Sequence, residues 1–223
     1  MLEAIRITDR RRLGRPLVAF AHGRAKRTID VILTLLALAF LSPLMAVIAL
    51  VVWLQDQGPI LYLHTRVGRG GKPFKCIKFR TMAVDAAEQL EAYLADNPFA
   101  RAQWVRDHKL RKDPRITHFG LFLRRSSLDE LPQLFNVLAG DMSLVGPRPI
   151  VDAEAAKYGN CFQDYCEVRP GITGLWQISG RNNVDYAARV ALDVDYVRTA
   201  SLPLDLKILA LTIPAVLAGR GSY

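Results

Sequence analysis

Asp129 and Glu130 stand side by side in Ser126-Ser-Leu-Asp-Glu-Leu-Pro132, and adjacent carboxylates can divide labour, one as a nucleophile and one as a metal ligand. A plainer role is open to the same pair. Ser127 and Glu130 have the spacing of a capping box, which puts both carboxylates in the first turn of a helix, where the macrodipole favours them by about 0.3–1 kcal/mol. The same helix start attracts phosphate through its free N–H groups. Arginines separate the two roles. Arg124 and Arg125 precede the pair, and Arg148 is fixed between Pro147 and Pro149, a rigid setting that suits bidentate phosphate binding and that surface solvation does not require. A second basic group lies in Lys75-Cys-Ile-Lys-Phe-Arg80. In a strand, Cys76, Lys78 and Arg80 share one face and Lys75, Ile77 and Phe79 the other. Two cations on one face suit either a phosphorylated substrate or anionic lipid headgroups.

Other motifs carry less. Gly68-Arg-Gly-Gly-Lys72 has Arg66 and Pro73 where a Walker loop needs glycine and Ser or Thr, so it reads as a glycine turn between two strands. Trp176 reads as packing, because a lone tryptophan is a poor stacking platform. The four histidines, His22, His64, His108 and His118, are scattered without metal spacing and receive no role. Cys76, Cys161 and Cys166 form no C-x-x-C pair. That pattern excludes zinc-finger, thioredoxin-like and disulfide-scaffold readings and points to a reducing, cytosol-facing compartment.

These groups must be positioned by a chain of 223 residues with 51% hydrophobic residues and a net charge of +9, enough for one folded domain with a real core. The charge leaves nucleic acid, anionic lipid or a phosphorylated substrate as partner. Residues 1–28 form a basic arm. Residues 29–54 carry Asp30 as their sole ionisable side chain and are long enough to cross a bilayer. Basic residues flank this run on both sides, and Ser42-Pro43 sits in its middle, so a proline-broken re-entrant hairpin that leaves by the face it entered is preferred to a span. Residues 55–223 read as a soluble domain. Strands are expected at 60–64 and 74–79, helices at 85–108 with a break at Asn97-Pro98, at 128–138 and at 186–200, and loops between 140 and 186. The apolar segment 202–217 carries Asp205 and Lys207 and reads as an interfacial amphipathic helix.

Taken together, Lys78-Phe-Arg-Thr-Met82, Asp113-Pro-Arg-Ile-Thr117, Leu123 to Asn136, Gly140 to Pro149 and Arg169 to Gln177 resemble, in order, the bacterial sugar transferases. These are monotopic phosphoglycosyl transferases that load the first sugar onto a polyprenyl-phosphate carrier. The likeness covers about residues 24 to 220 and is greatest to the short branch that initiates exopolysaccharide synthesis with galactose-1-phosphate or glucose-1-phosphate. It implies an α/β fold with a small mixed sheet, at the cytoplasmic face of the bacterial inner membrane. It implies UDP-sugar and undecaprenyl phosphate as substrates, membrane lipid as surroundings, Mg²⁺ as cofactor and later glycan-assembly enzymes as partners. By position, Asp129 is the nucleophile that forms an aspartyl-phosphosugar intermediate and expels UMP, and Glu130 is the Mg²⁺ ligand. Arg124 and Arg148 match phosphate-binding positions, Lys78, Arg80, Arg169 and Arg181 lie in the other basic motifs, and Ser42-Pro43 matches the break of the membrane helix. Nothing in the chain carries a nucleic-acid fold signature. Two other classes remain: a basic membrane scaffold, indifferent to Asp129→Asn, and a tethered nucleic-acid binder, marked by salt-dependent DNA binding.

Overall fold

A computed structural model describes residues 20, 23–107, 110, 112–179 and 185–217. Most of the expected basic arm, and Arg181, lie outside these residues. The first helix, α1 (Arg24–Asp56), begins five residues before the apolar run and continues through Pro43. Ser42 donates its hydroxyl hydrogen to the Ala39 carbonyl at 3.2 Å, the local compensation expected where proline removes a backbone donor. By length and composition α1 could cross a membrane. It leaves large apolar side chains uncovered, among them Phe40, which is 83% exposed.

Two strands follow, β1 (Leu61–Val67) and β2 (Pro73–Phe79), paired antiparallel with Tyr62 opposite Lys78 and His64 opposite Cys76. The glycine turn between them forms as expected, with Gly70 and Gly71 at positive φ. This hairpin has two distinct faces. Phe79 packs with Met45, Ile48 and Val52 of α1, and Leu61 and Leu63, on that same face by alternation, stay exposed beside the helix. The opposite face carries Tyr62, His64, Arg66, Cys76 and Lys78.

Helices α2 (Ala86–Asp96) and α3 (Pro98–Asp107) break at Asn97-Pro98, where Asn97 accepts the Ala100 N–H at 3.0 Å and so caps the second helix. Next come α4 (His118–Ser126), a 3₁₀ turn (Leu128–Glu130) and α5 (Gln133–Ala139). The helix expected over 128–138 is therefore divided, since Pro132 lacks the N–H that would continue the first turn. Strand β3 (Ser143–Val145) pairs parallel with β4 (Gly171–Thr173). Their closest approach admits only glycine, because a Cβ on Gly171 would lie 2.1 Å from the Gly146 nitrogen. The region expected as loop holds α6 (Asp152–Tyr158), α7 (Phe162–Glu167) and α8 (Leu175–Ile178), each too short to show helical periodicity. Then come α9 (Tyr186–Thr199) and α10 (Leu202–Leu217).

The fold is thus mainly helical with two small sheets, not one mixed sheet, and Asn136 of α5 accounts for the separation. Its side-chain amide donates to the Lys75 carbonyl at 2.8 Å and accepts from the Ile77 N–H at 2.9 Å. It occupies the outer edge of β2 as a neighbouring strand would, and no third strand can add there.

Three charges of the apolar helices, Lys26, Asp30 and Asp205, are internal, whereas Lys207 is exposed. Lys26 meets Asp205 of α10 at 2.6 Å, with both side chains 7% exposed. Asp30 accepts from the Ser143 hydroxyl at 2.8 Å, and Tyr196 donates to Asp205 at 2.8 Å. Asp205 therefore anchors α10 to α1; it does not mark a solvent face, as the sequence suggested. Breaking a buried pair by deleting one partner costs about 3–5 kcal/mol. Lys26→Met should accordingly lower the denaturation midpoint far more than Lys207→Met, as thermal unfolding in detergent would show.

Candidate active site

The 3₁₀ turn that carries the carboxylate pair exists because Ser127 adopts a left-handed conformation, φ 57°, and ends α4 with its N–H on the Arg124 carbonyl. The expected capping box is absent. A capping serine needs an extended backbone, and here the Ser127 carbonyl, not its side chain, accepts the Glu130 N–H at 3.2 Å. The Glu130 side chain is consequently free to turn toward the β-hairpin, where it accepts from Lys78 Nζ at 2.6 Å. Lys78 lies 3.7 Å from Asp129 Oδ2. The Asp129 side chain is 11% exposed and that of Glu130 26%.

Arg124 reaches the pair from the last turn of α4. Its Nε donates to Thr81 Oγ1 at 2.8 Å, and α4 comes this close because Gly120 packs directly on Thr81, whose carbonyl oxygen a Cβ would meet at 2.0 Å. Arg148 projects from the loop after β3. Its guanidinium lies over Trp176 at 5.3 Å, and the loop is tied to β1 by Arg66 Nη1 donating to the Pro149 carbonyl at 3.2 Å and Val67 N–H to the Ile150 carbonyl at 2.9 Å. Trp176 is buried beneath Arg148 and Arg189, which agrees with a packing role.

Of the residues singled out in the sequence, Asp129, Glu130, Lys78, Arg124 and Arg148 converge. Arg80 and Arg169 do not. Arg80 forms an ion pair with Asp56 and donates to the Val52 carbonyl at 3.3 Å, holding the end of α1 instead of facing the carboxylates. Arg169 donates to the Gly140 carbonyl at 2.7 Å, while Arg27 donates to the carbonyls of Val137 and Leu138 at 2.5 and 2.9 Å. Both thus satisfy the C-terminal end of α5, a location where cations are favoured. Arg66 and His64 belong to the site and carried no assignment from sequence. Their alternation with Tyr62 along β1 is visible, but only the pairing opposite Lys78 and Cys76 shows which face they share.

The two carboxylates are electrostatically unlike. Burial pushes Asp129 up to about 6, with the Glu130 charge adding to the rise and Lys78 and Arg124 opposing it. Burial also acts on Glu130, yet Lys78 and Arg148 outweigh it and hold Glu130 below the usual carboxylate range. Arg66 is depressed by burial and by Arg148, a sign of crowded cations. Lys78, Arg66, Arg124 and Arg148 thus set four cations about the two adjacent carboxylates, Lys78 and Arg124 acting on Asp129 and Lys78, Arg148 and Arg66 on Glu130, a setting for an anion of several charges. Among the described residues no group of three or more His, Cys, Asp and Glu side chains converges as a metal cage. Two oxygen-donor carboxylates do suit Mg²⁺, which binds through one or two carboxylates and completes its shell with phosphate oxygens and water.

The family described as bacterial sugar transferase matches residues 21–219. The exopolysaccharide production protein ExoY of Rhizobium meliloti is 50% identical over 201 residues, covering 90% of this chain and 89% of the relative. The undecaprenyl-phosphate galactose phosphotransferase of Salmonella typhimurium is 52% identical over 201 residues, 89% of this chain and 41% of that protein. The UDP-glucose:undecaprenyl-phosphate glucose-1-phosphate transferase of Caulobacter vibrioides is 41% identical over 221 residues, 95% of this chain and 77% of that protein.

Proposed function

The chain belongs to the bacterial sugar transferase family, and on that premise we propose that it moves a hexose-1-phosphate from a UDP-sugar to undecaprenyl phosphate, with galactose or glucose as the sugar, at the start of exopolysaccharide or related glycan assembly. The observation that carries this reading is the adjacent carboxylate pair among cations, with Lys78 and Arg124 acting on the buried Asp129 and Lys78, Arg148 and Arg66 on Glu130. An Asp129 oxygen attacks the β-phosphorus and forms an O–P bond. The bond from that phosphorus to the bridging oxygen breaks, and UMP departs with the oxygen and its electron pair. An oxygen of undecaprenyl phosphate then attacks the same phosphorus, the Asp129 O–P bond breaks, and the carboxylate is regenerated. Charge balances in both steps without proton transfer. Arg148 and Arg124 orient the phosphoryl oxygens as bidentate donors, and Lys78 offsets charge on both carboxylates. Glu130 would hold Mg²⁺, which would supply further charge neutralisation at the diphosphate.

The re-entrant reading of α1, with Ser42-Pro43 as its turning point, is supported by the anchoring of both its ends to the same domain. Lys26, Arg27 and Asp30 bond to α10, α5 and β3, while Val52 packs on Phe79 and Asp56 pairs with Arg80. A helix crossing the bilayer would carry one of those ends away. The uncovered face of α1 and the exposed Leu61 and Leu63 then meet lipid, and the far face of the same hairpin meets the water-soluble donor from the cytoplasmic side of the inner membrane. The test is UMP release by detergent-purified protein with Mg²⁺, undecaprenyl phosphate and a panel of UDP-sugars. Release from UDP-galactose or UDP-glucose is expected. Folded protein that releases UMP from no donor contradicts the reading and returns weight to a membrane scaffold.

A further inference from the structure

His64 lies on the face of the β-hairpin that carries Arg66 and Lys78 of the site. Its cross-strand partner is Cys76, and the charges acting on Cys76 are Lys78, Glu130, Arg66 and Arg148, the cations and carboxylate of the site. The ring nitrogen Nδ1 is 3.1 Å from Arg66 Nη2. A guanidinium can only donate, so Nδ1 must accept, and the hydrogen of a neutral ring is thereby fixed on Nε2. Burial, Arg66 and Lys78 all act against a charged ring, with Lys75 adding to them and Glu154 of α6 opposing. Tyr62 closes one side, its ring centroid 5.7 Å from that of His64. Among the described residues nothing else takes the Nε2 hydrogen.

We propose that His64 contacts the donor substrate, its Nε2–H donating to a phosphoryl oxygen of the nucleoside-diphosphate sugar while Arg66 holds the ring in the required tautomer. This rests on the transferase reading above. A neutral donor adds a directed hydrogen bond where Lys78, Arg66 and Arg148 already supply charge, and a hydrogen bond to a charged acceptor is worth about tenfold to a hundredfold in affinity.

Three substitutions separate contact from support. In His64→Gln the amide N–H₂ falls near the position of Nε2, in His64→Asn the amide oxygen falls near Nδ1, and His64→Phe keeps only the ring. UMP release and calorimetric titration with UDP would be measured for each. The expected results are a fall in kcat/KM of about tenfold to a hundredfold for His64→Phe, a similar weakening of UDP binding, recovery to within about threefold for His64→Gln and no recovery for His64→Asn. Recovery by Asn and not by Gln would overturn the proposal and leave His64 as a support for Arg66. Unchanged kcat/KM and UDP binding in His64→Phe would overturn it as well. If His64→Phe does not fold, the comparison of Gln with Asn decides alone. Wild-type protein that releases no UMP marks failure of the transferase reading, whereas active wild type with an indifferent His64 marks failure of this contact only.

Discussion

Asp129→Asn should lose at least about 10²-fold in UMP release while gaining stability near neutral pH. The two effects have one origin. Burial holds the folded-state value of Asp129 at about 6, above 3.8 in the unfolded chain, so the folded protein keeps a proton that the unfolded chain releases between those values. Stability from this group is fully present below pH 3.8 and is lost as pH rises through 6, by on the order of 1–3 kcal/mol. Asparagine is neutral throughout. The variant should therefore match the parent at acid pH and exceed it at pH 7.5, as denaturation midpoints at the two values would show. A variant that is inactive and also destabilised at pH 7.5 would mean that the carboxylate is held by interactions absent from this account. An active variant would remove Asp129 as the nucleophile.

Lys78→Met should be the next most damaging change. Lys78 is the leading charge that opposes the rise at Asp129 and also lowers Glu130. Without it both carboxylates titrate at higher pH. The acid limb of the pH dependence of kcat/KM, which reports ionisation of Asp129 in the free enzyme, should move upward, with a loss of about 10²-fold at neutral pH from diminished charge stabilisation. Rates partly recovered at pH 9 would match this sign. A uniform loss across pH 5–9 would show instead that Lys78 binds substrate without tuning the nucleophile.

How much of this was legible in the sequence differs from element to element. The β-hairpin, the Asn97-Pro98 break and α9 and α10 follow from alternation, proline and helical spacing, which are local. The convergence of Asp129, Glu130, Lys78, Arg124 and Arg148 was readable from residue types and motif likeness, because acid pairs and proline-locked arginines keep their meaning before folding. Partners set by tertiary packing were not readable. Arg80 and Arg169 look like phosphate ligands as cations in basic motifs, yet each has a nearer anionic group or carbonyl at a helix end. Asp205 looks like a surface charge until Lys26 arrives from the far end of the chain. Ser127 and Glu130 have capping spacing, but the end of the preceding helix claims the Ser127 backbone first. His64 was invisible because its significance lies in the register with Cys76 and in the arginine two residues away.

The most direct test of the covalent mechanism omits the acceptor. Purified protein would be mixed with Mg²⁺ and its UDP-sugar in the absence of undecaprenyl phosphate, followed at once by intact-mass and peptide mass spectrometry and by quantifying UMP. One equivalent of UMP per active enzyme is expected, with a mass increase of one hexosyl phosphate on the peptide containing Asp129 and discharge of that adduct when undecaprenyl phosphate is added. UMP release that requires both substrates together, with no adduct formed at any time, would contradict it and point to direct transfer between the two bound phosphates.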